Sequence, residues 1–153
     1  MRTKSAATLL SVALAVTLGS LPSAEAEEKG SSPNMVKQES LTFSGPPALP
    51  GLSAAWAIGS EGGSGLYALR VKLKAGGKLP PHTHPDSRLT TVLSGTLSVG
   101  FGESFDEGTL VTAHAGDSYL VPADQPHFLV ARDGDVEYQE MGSGKTGTEM
   151  VKR

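Results

Sequence analysis

The 153-residue chain carries 13 Lys and Arg against 16 Asp and Glu, a net charge of −3, and no cysteine. That balance argues against nucleic acid as a partner, and the missing thiols exclude disulfides, thiolate metal ligands and cysteine nucleophiles. Stability must come from a buried core, and the length suits a single domain.

Arg2 and Lys4 precede an uncharged, mostly apolar run over 5–18, and Ala24-Glu25-Ala26 puts small residues at both cleavage positions, the pattern of a signal peptide over 1–26. The run is shorter than the roughly 20 residues a membrane span needs, so the expectation is export to a periplasm or the medium without a stable membrane anchor. Cleavage near Ala26 takes away Arg2, Lys4 and Glu25 and leaves a net charge of −4. Residues 27–40 are charged, Ser- and Gly-bearing and poor in apolar groups, as in a flexible linker. Ser44 to Gly51 contains three prolines and reads as a loop leading into the fold.

Alternation with a period of two then dominates. Tyr67, Leu69, Val71 and Leu73 share one face of a strand, with Arg70, Lys72 and Lys74 on the other. Residues 89–93 and 96–101 read as a hairpin around Ser94-Gly95, followed by strands at 110–113, 119–121, 128–131 and 136–141. Short strands with Gly and Pro turns predict an all-β sandwich or small barrel over 41–142, leaving 143–153 as a C-terminal tail. Trp56, Tyr67, Phe101, Tyr119 and Phe128 are expected in the core, and Gln125, Phe128, Gln139 and Met141 are candidates to line a pocket.

Chemistry concentrates in the histidines. His82 and His84 are two residues apart after Pro80-Pro81, so in extended chain both imidazoles point the same way and can reach one ion. His127 follows a short strand and the turn Pro122 to Pro126, which can return it to the pair. Three neutral imidazoles suit one divalent transition metal, Fe, Mn, Ni, Cu or Zn, with open positions left for substrate or water. His114 reads as a surface residue.

Gly76, His82, His84 and Gly95, followed by Gly116, Pro122 and His127, occupy seven positions at the internal spacings of the two cupin motifs. The chain resembles the cupin superfamily, specifically a small single-domain cupin with a three-histidine variant of the metal site. The resemblance implies a cupin-type double-stranded β-helix, jelly-roll-like, with metal bound inside and a habit of forming homodimers. Arg88 stands where the family usually has a glutamate ligand, and Ala131 where the second motif often ends in asparagine. A guanidinium has no lone pair to give a cation, so the site is three-histidine at best, as in the cysteine and acetylacetone dioxygenases. Asp86 is a weaker candidate for the missing carboxylate.

Turned inward, Arg88 could be a catalytic residue that holds a small anionic substrate; turned outward, it would pair with Asp86 or Asp124. Two functions follow: an exported metal-dependent dioxygenase or related oxidoreductase acting on a small anionic organic molecule, or a non-catalytic module holding a ligand or structural metal.

Overall fold

The computed structural model describes residues 34–152. Ten strands follow in order: β1 Leu52–Ile58, β2 Leu66–Leu73, β3 Lys78–Thr83, β4 Arg88–Ser94, β5 Thr96–Phe101, β6 Val111–His114, β7 Ser118–Val121, β8 His127–Val130, β9 Val136–Ser143 and β10 Glu149–Met150. They form two five-stranded antiparallel sheets, ordered β1-β2-β9-β4-β7 and β10-β3-β8-β5-β6. From β2 onward the chain passes repeatedly between the sheets, the winding of a double-stranded β-helix. No α-helix occurs among the described residues, only two 3₁₀ turns. The predicted leader and the first half of the predicted linker, 27–33, lie outside the described residues.

Alternation in β2 behaves as the residue pattern demands. Tyr67, Val71 and Leu73 are buried, and the partly buried Leu69 shares their face, while Arg70 and Lys72 face outward and meet Glu137 at 3.0 and 3.9 Å. Between the sheets, Leu73, Val92, Leu97, Leu129, Val136 and Tyr138 pack into one hydrophobic cluster. Fully burying an aliphatic side chain of this kind contributes about 1.5–3 kcal/mol.

The expected hairpin around Ser94-Gly95 does not form. β4 pairs with β7 and β9, whereas β5 pairs with β6 and β8, so the turn carries the chain from one sheet to the other. Local turn chemistry is the same for both outcomes; the choice of partner strand is made by residues far away. Gly95 has φ +77° and lies so close to Val136 that an added Cβ would fall 2.3 Å from the Asp135 carbonyl oxygen. The segment after 142, set apart on sequence as a tail, completes β9 and contributes β10, which pairs with β3 at Glu149↔Thr83 and Met150↔His82.

Candidate metal centre

Pro80 and Pro81 lack N–H donors, and the β3–β8 ladder slips by one residue across them, from Leu79↔Leu129 to His82↔His127. His127 therefore reaches the pair through a direct cross-strand register between β3 and β8, not through a hairpin with β7. His84 follows β3 by one residue, on the same side as His82.

The three rings are 0%, 2% and 1% exposed for His82, His84 and His127, with centroids 4.1 to 5.1 Å apart. One ring nitrogen from each lies within 4.8 Å of the others, a cluster able to hold a metal ion. Each Nδ1 is tied to a backbone carbonyl: His82 to Pro80 at 2.8 Å, His84 to Gly147 at 2.7 Å and His127 to Gln125 at 3.1 Å. A carbonyl only accepts, so each Nδ1 carries the proton and each Nε2 keeps its lone pair. The Nε2 atoms of His82 and His84 are buried with no hydrogen-bond partner. Buried polar atoms are rarely left unsatisfied without a reason, and a convergent ion supplies one.

Electrostatics favour the same state. Burial, helped by the neighbouring His127, pushes the His82 imidazole down to about 3. His84 is also lowered to about 3, by burial and then by the Arg88 charge, and burial lowers His127. All three are neutral near pH 7, as ligands must be.

Arg88 is 3% exposed and points inward, but the anion it meets belongs to the protein. Its Nη1 donates to Glu140 Oε2 at 2.6 Å, and its Nη2 donates to Thr146 Oγ1 and, at 2.8 Å, to the Gly147 carbonyl. The Gly147 oxygen thus accepts from both Arg88 and His84. Burial pushes the Glu140 carboxyl up, against the pull of Arg88. Asp86 lies 3.6 Å from Arg88 Nε and accepts from Tyr67 Oη and Thr146 Oγ1, each at 2.5 Å. It serves this polar network and is not one of the clustered metal-ligating groups. Burial and the bond to Asp86 raise the Tyr67 phenol to about 12, so it stays a donor. Gly142 keeps room for that pair, since a Cβ there would fall 2.5 Å from Tyr67 Oη and 2.7 Å from Asp86 Oδ2.

Beside the histidines lies a cavity of about 510 Å³ lined mainly by aliphatic side chains, with His82, His84, Arg88, Tyr138 and Glu140 supplying its ionisable groups. Tyr138 and Glu140 line it, whereas the expected Gln139 and Met141 sit on the other face of β9, Gln139 in register with outward-facing Arg70 and Met141 with Ala68. The candidate set was one residue out of phase, which in a strand reverses the face. The alternation of Val136, Tyr138 and Glu140 with Glu137, Gln139 and Met141 held the signal. Phe128 is fully buried against Phe105 and under Gly100, away from the cavity, and Gln125 is partly buried beside His127. Trp56 and Phe101 are 38% and 45% exposed, not core; Trp56 meets Tyr67 edge-on. His114 is exposed, as expected.

A family model described as "Cupin domain" matches residues 69–138. Germin-like protein subfamily 3 member 3 of Arabidopsis thaliana is 29% identical over 125 residues, covering 80% of this chain and 54% of the relative. Germin-like protein 3-1 of Oryza sativa subsp. japonica is 35% identical over 94 residues, 60% of this chain and 38% of the relative. The chain spans about half or less of the length of these relatives. Among solved structures, the polyketide cyclase RemF from Streptomyces resistomycificus matches with a TM-score of 0.67 at 16% identity, over 80% of this chain and 87% of that one. KdgF from Halomonas sp. matches with a TM-score of 0.60 at 20% identity, over 74% and 96%. At such identities these structures speak to the fold alone. Together with the domain match over 69–138 they support a cupin-type barrel.

Proposed function

On the premise of that cupin barrel, we propose that the protein is an exported metal-binding cupin in which His82, His84 and His127 hold one divalent transition metal through Nε2, and that it acts as an oxidoreductase of the dioxygenase kind on a small organic molecule in the adjoining cavity. The observation that carries the metal site is the set of three Nδ1–H groups committed to backbone carbonyls, which leaves the Nε2 lone pairs facing one another. A redox-active ion bound there would supply the electron-transfer chemistry that an oxygenase needs. The protein's own contributions are to keep the ligands neutral by burial, to fix their rings through backbone carbonyls, and to exclude water with an aliphatic wall. Arg88 is then a positioning residue, holding Gly147 where that carbonyl orients His84.

Metal analysis of the untagged protein, beside a His82→Ala/His84→Ala/His127→Ala variant, tests the site. Near-stoichiometric iron, manganese, nickel, copper or zinc that disappears in the variant supports it; failure to take up any of these ions after incubation removes it. Oxygen uptake with candidate substrates then tests the oxidoreductase reading. A non-catalytic ligand-binding module is favoured by one observation: the ionisable partners Arg88 and Glu140 are spent on each other, which leaves neither free to move a proton. Ligand binding without turnover by the metal-loaded protein would decide for that second reading.

A further inference from the structure

We infer that the cavity takes an uncharged, mainly hydrocarbon molecule with a single hydroxyl or carbonyl head directed at the histidine end, and not the small carboxylate that an inward arginine suggests. The inference rests on the proposed metal site only for the direction of the head group; the hydrocarbon part stands on the cavity itself.

The volume of about 510 Å³ lies in the range of small-molecule sites, which surround an apolar body and fix its orientation with few polar groups. Leu52, Ala54, Leu69, Val71, Leu79 and Met150 form the wall, drawn from four strands of both sheets, β1, β2, β3 and β10. Such a surface offers no compensation to the hydroxyls of a sugar or to the second carboxylate of a diacid, which would be desolvated without partners.

The charged and metal-ligating groups of the lining are His82, His84, Arg88 and Glu140, and the remaining polar side chains are the single hydroxyls of Tyr138 and Thr148. The charge of Arg88 is already answered there by Glu140 at 2.6 Å, with Asp86 at 3.6 Å as a second carboxylate. An incoming carboxylate would have to displace Glu140, stranding a buried acid, or sit beside two negative groups. Three of the five guanidinium N–H donors are bound within the protein, on Glu140, Thr146 and Gly147. Most of what an inward arginine offers a substrate anion in an open site, this one has given to the fold, and its buried Nε faces Asp86 at 3.6 Å.

The test is isothermal titration of the purified full chain with 2-naphthol, malonate and glucose, with metal content measured on the same preparation. The expected result is 2-naphthol binding at least about tenfold more tightly than malonate or glucose, and a loss of about tenfold or more in Ala54→Phe, which pushes a ring into the cavity from β1. Ala48 also lines the cavity but lies in an exposed loop, so Ala48→Trp gives a blocking variant with little demand on folding. Malonate or glucose binding as tightly as 2-naphthol, no 2-naphthol binding, or binding unchanged in both folded variants would overturn the inference. Metal present without 2-naphthol binding would sink the ligand class and leave the metal site standing; 2-naphthol binding without metal would do the reverse.

Discussion

Two of the three histidines are oriented by their own stretch of chain, and the third by a segment 63 residues away. His82 and His127 each donate to the carbonyl two residues back, Pro80 within β3 and Gln125 in the turn before β8. His84 instead depends on Gly147, which Arg88 holds from the other side while Glu140 and Thr146 hold Arg88. The same task, fixing a ring and its tautomer, is local in one case and tertiary in the other. The cluster should therefore fail unevenly when the fold is perturbed, with His84 first.

The largest effect is expected at Arg88. Arg88→Met leaves Glu140 buried and unpaired and should destabilise the protein by about 3–5 kcal/mol in urea unfolding, while Arg88→Met/Glu140→Leu recovers most of the loss. Equal instability of the single and double variants would show that the ion pair is not what holds this end. Removing residues 144–153 takes away Thr146, Gly147 and β10 and should weaken metal binding by about 10–100-fold. In that truncation the Nδ1–H proton signal of His84 should vanish from the NMR spectrum while those of His82 and His127 persist; loss of all three together would erase the local-versus-tertiary distinction.

Gly142→Ala crowds Tyr67 and Asp86, the latter of which holds Thr146, and should cost about 1–3 kcal/mol, read as a lowered Tm. The smallest effect per unit change is that of pH on the metal-free protein. The imidazoles of His82 and His84 fall to about 3 in the fold from an ordinary value of 6.5, so below pH 6.5 the unfolded chain binds protons that the folded one refuses. Stability is then full above about pH 6.5 and declines as pH falls toward 3, by up to about 1.4 kcal/mol per pH unit for each histidine. Denaturant melts between pH 7 and 4 would measure that slope, and His82→Ala/His84→Ala should flatten it.

How much of this was legible in the chain follows from which interactions are local. The period of two placed Tyr67, Val71 and Leu73 inside, and the His-x-His spacing put two imidazoles on one side, because both depend only on strand geometry. Gly76 and Gly116, at motif positions, adopt φ of +76° and +96°, as turns at those points require. The parity of β9 was equally local and was misread by one residue. Hidden from a linear reading were the passage between sheets at Gly95, the return of β10 to β3, and the acid that answers Arg88.

The amino-acid sequence by itself determined an all-β chain, a barrel of cupin type and three histidines able to gather, since period, turn residues and motif spacing are properties of short stretches. Only the tertiary structure decided what Arg88 does. Its partners Glu140 and Thr146 stand 52 and 58 residues away, and Gly147, 59 residues away, joins it to His84. A buried charge takes the counter-charge that the packing of distant strands brings to it, and no local pattern records which residue that will be.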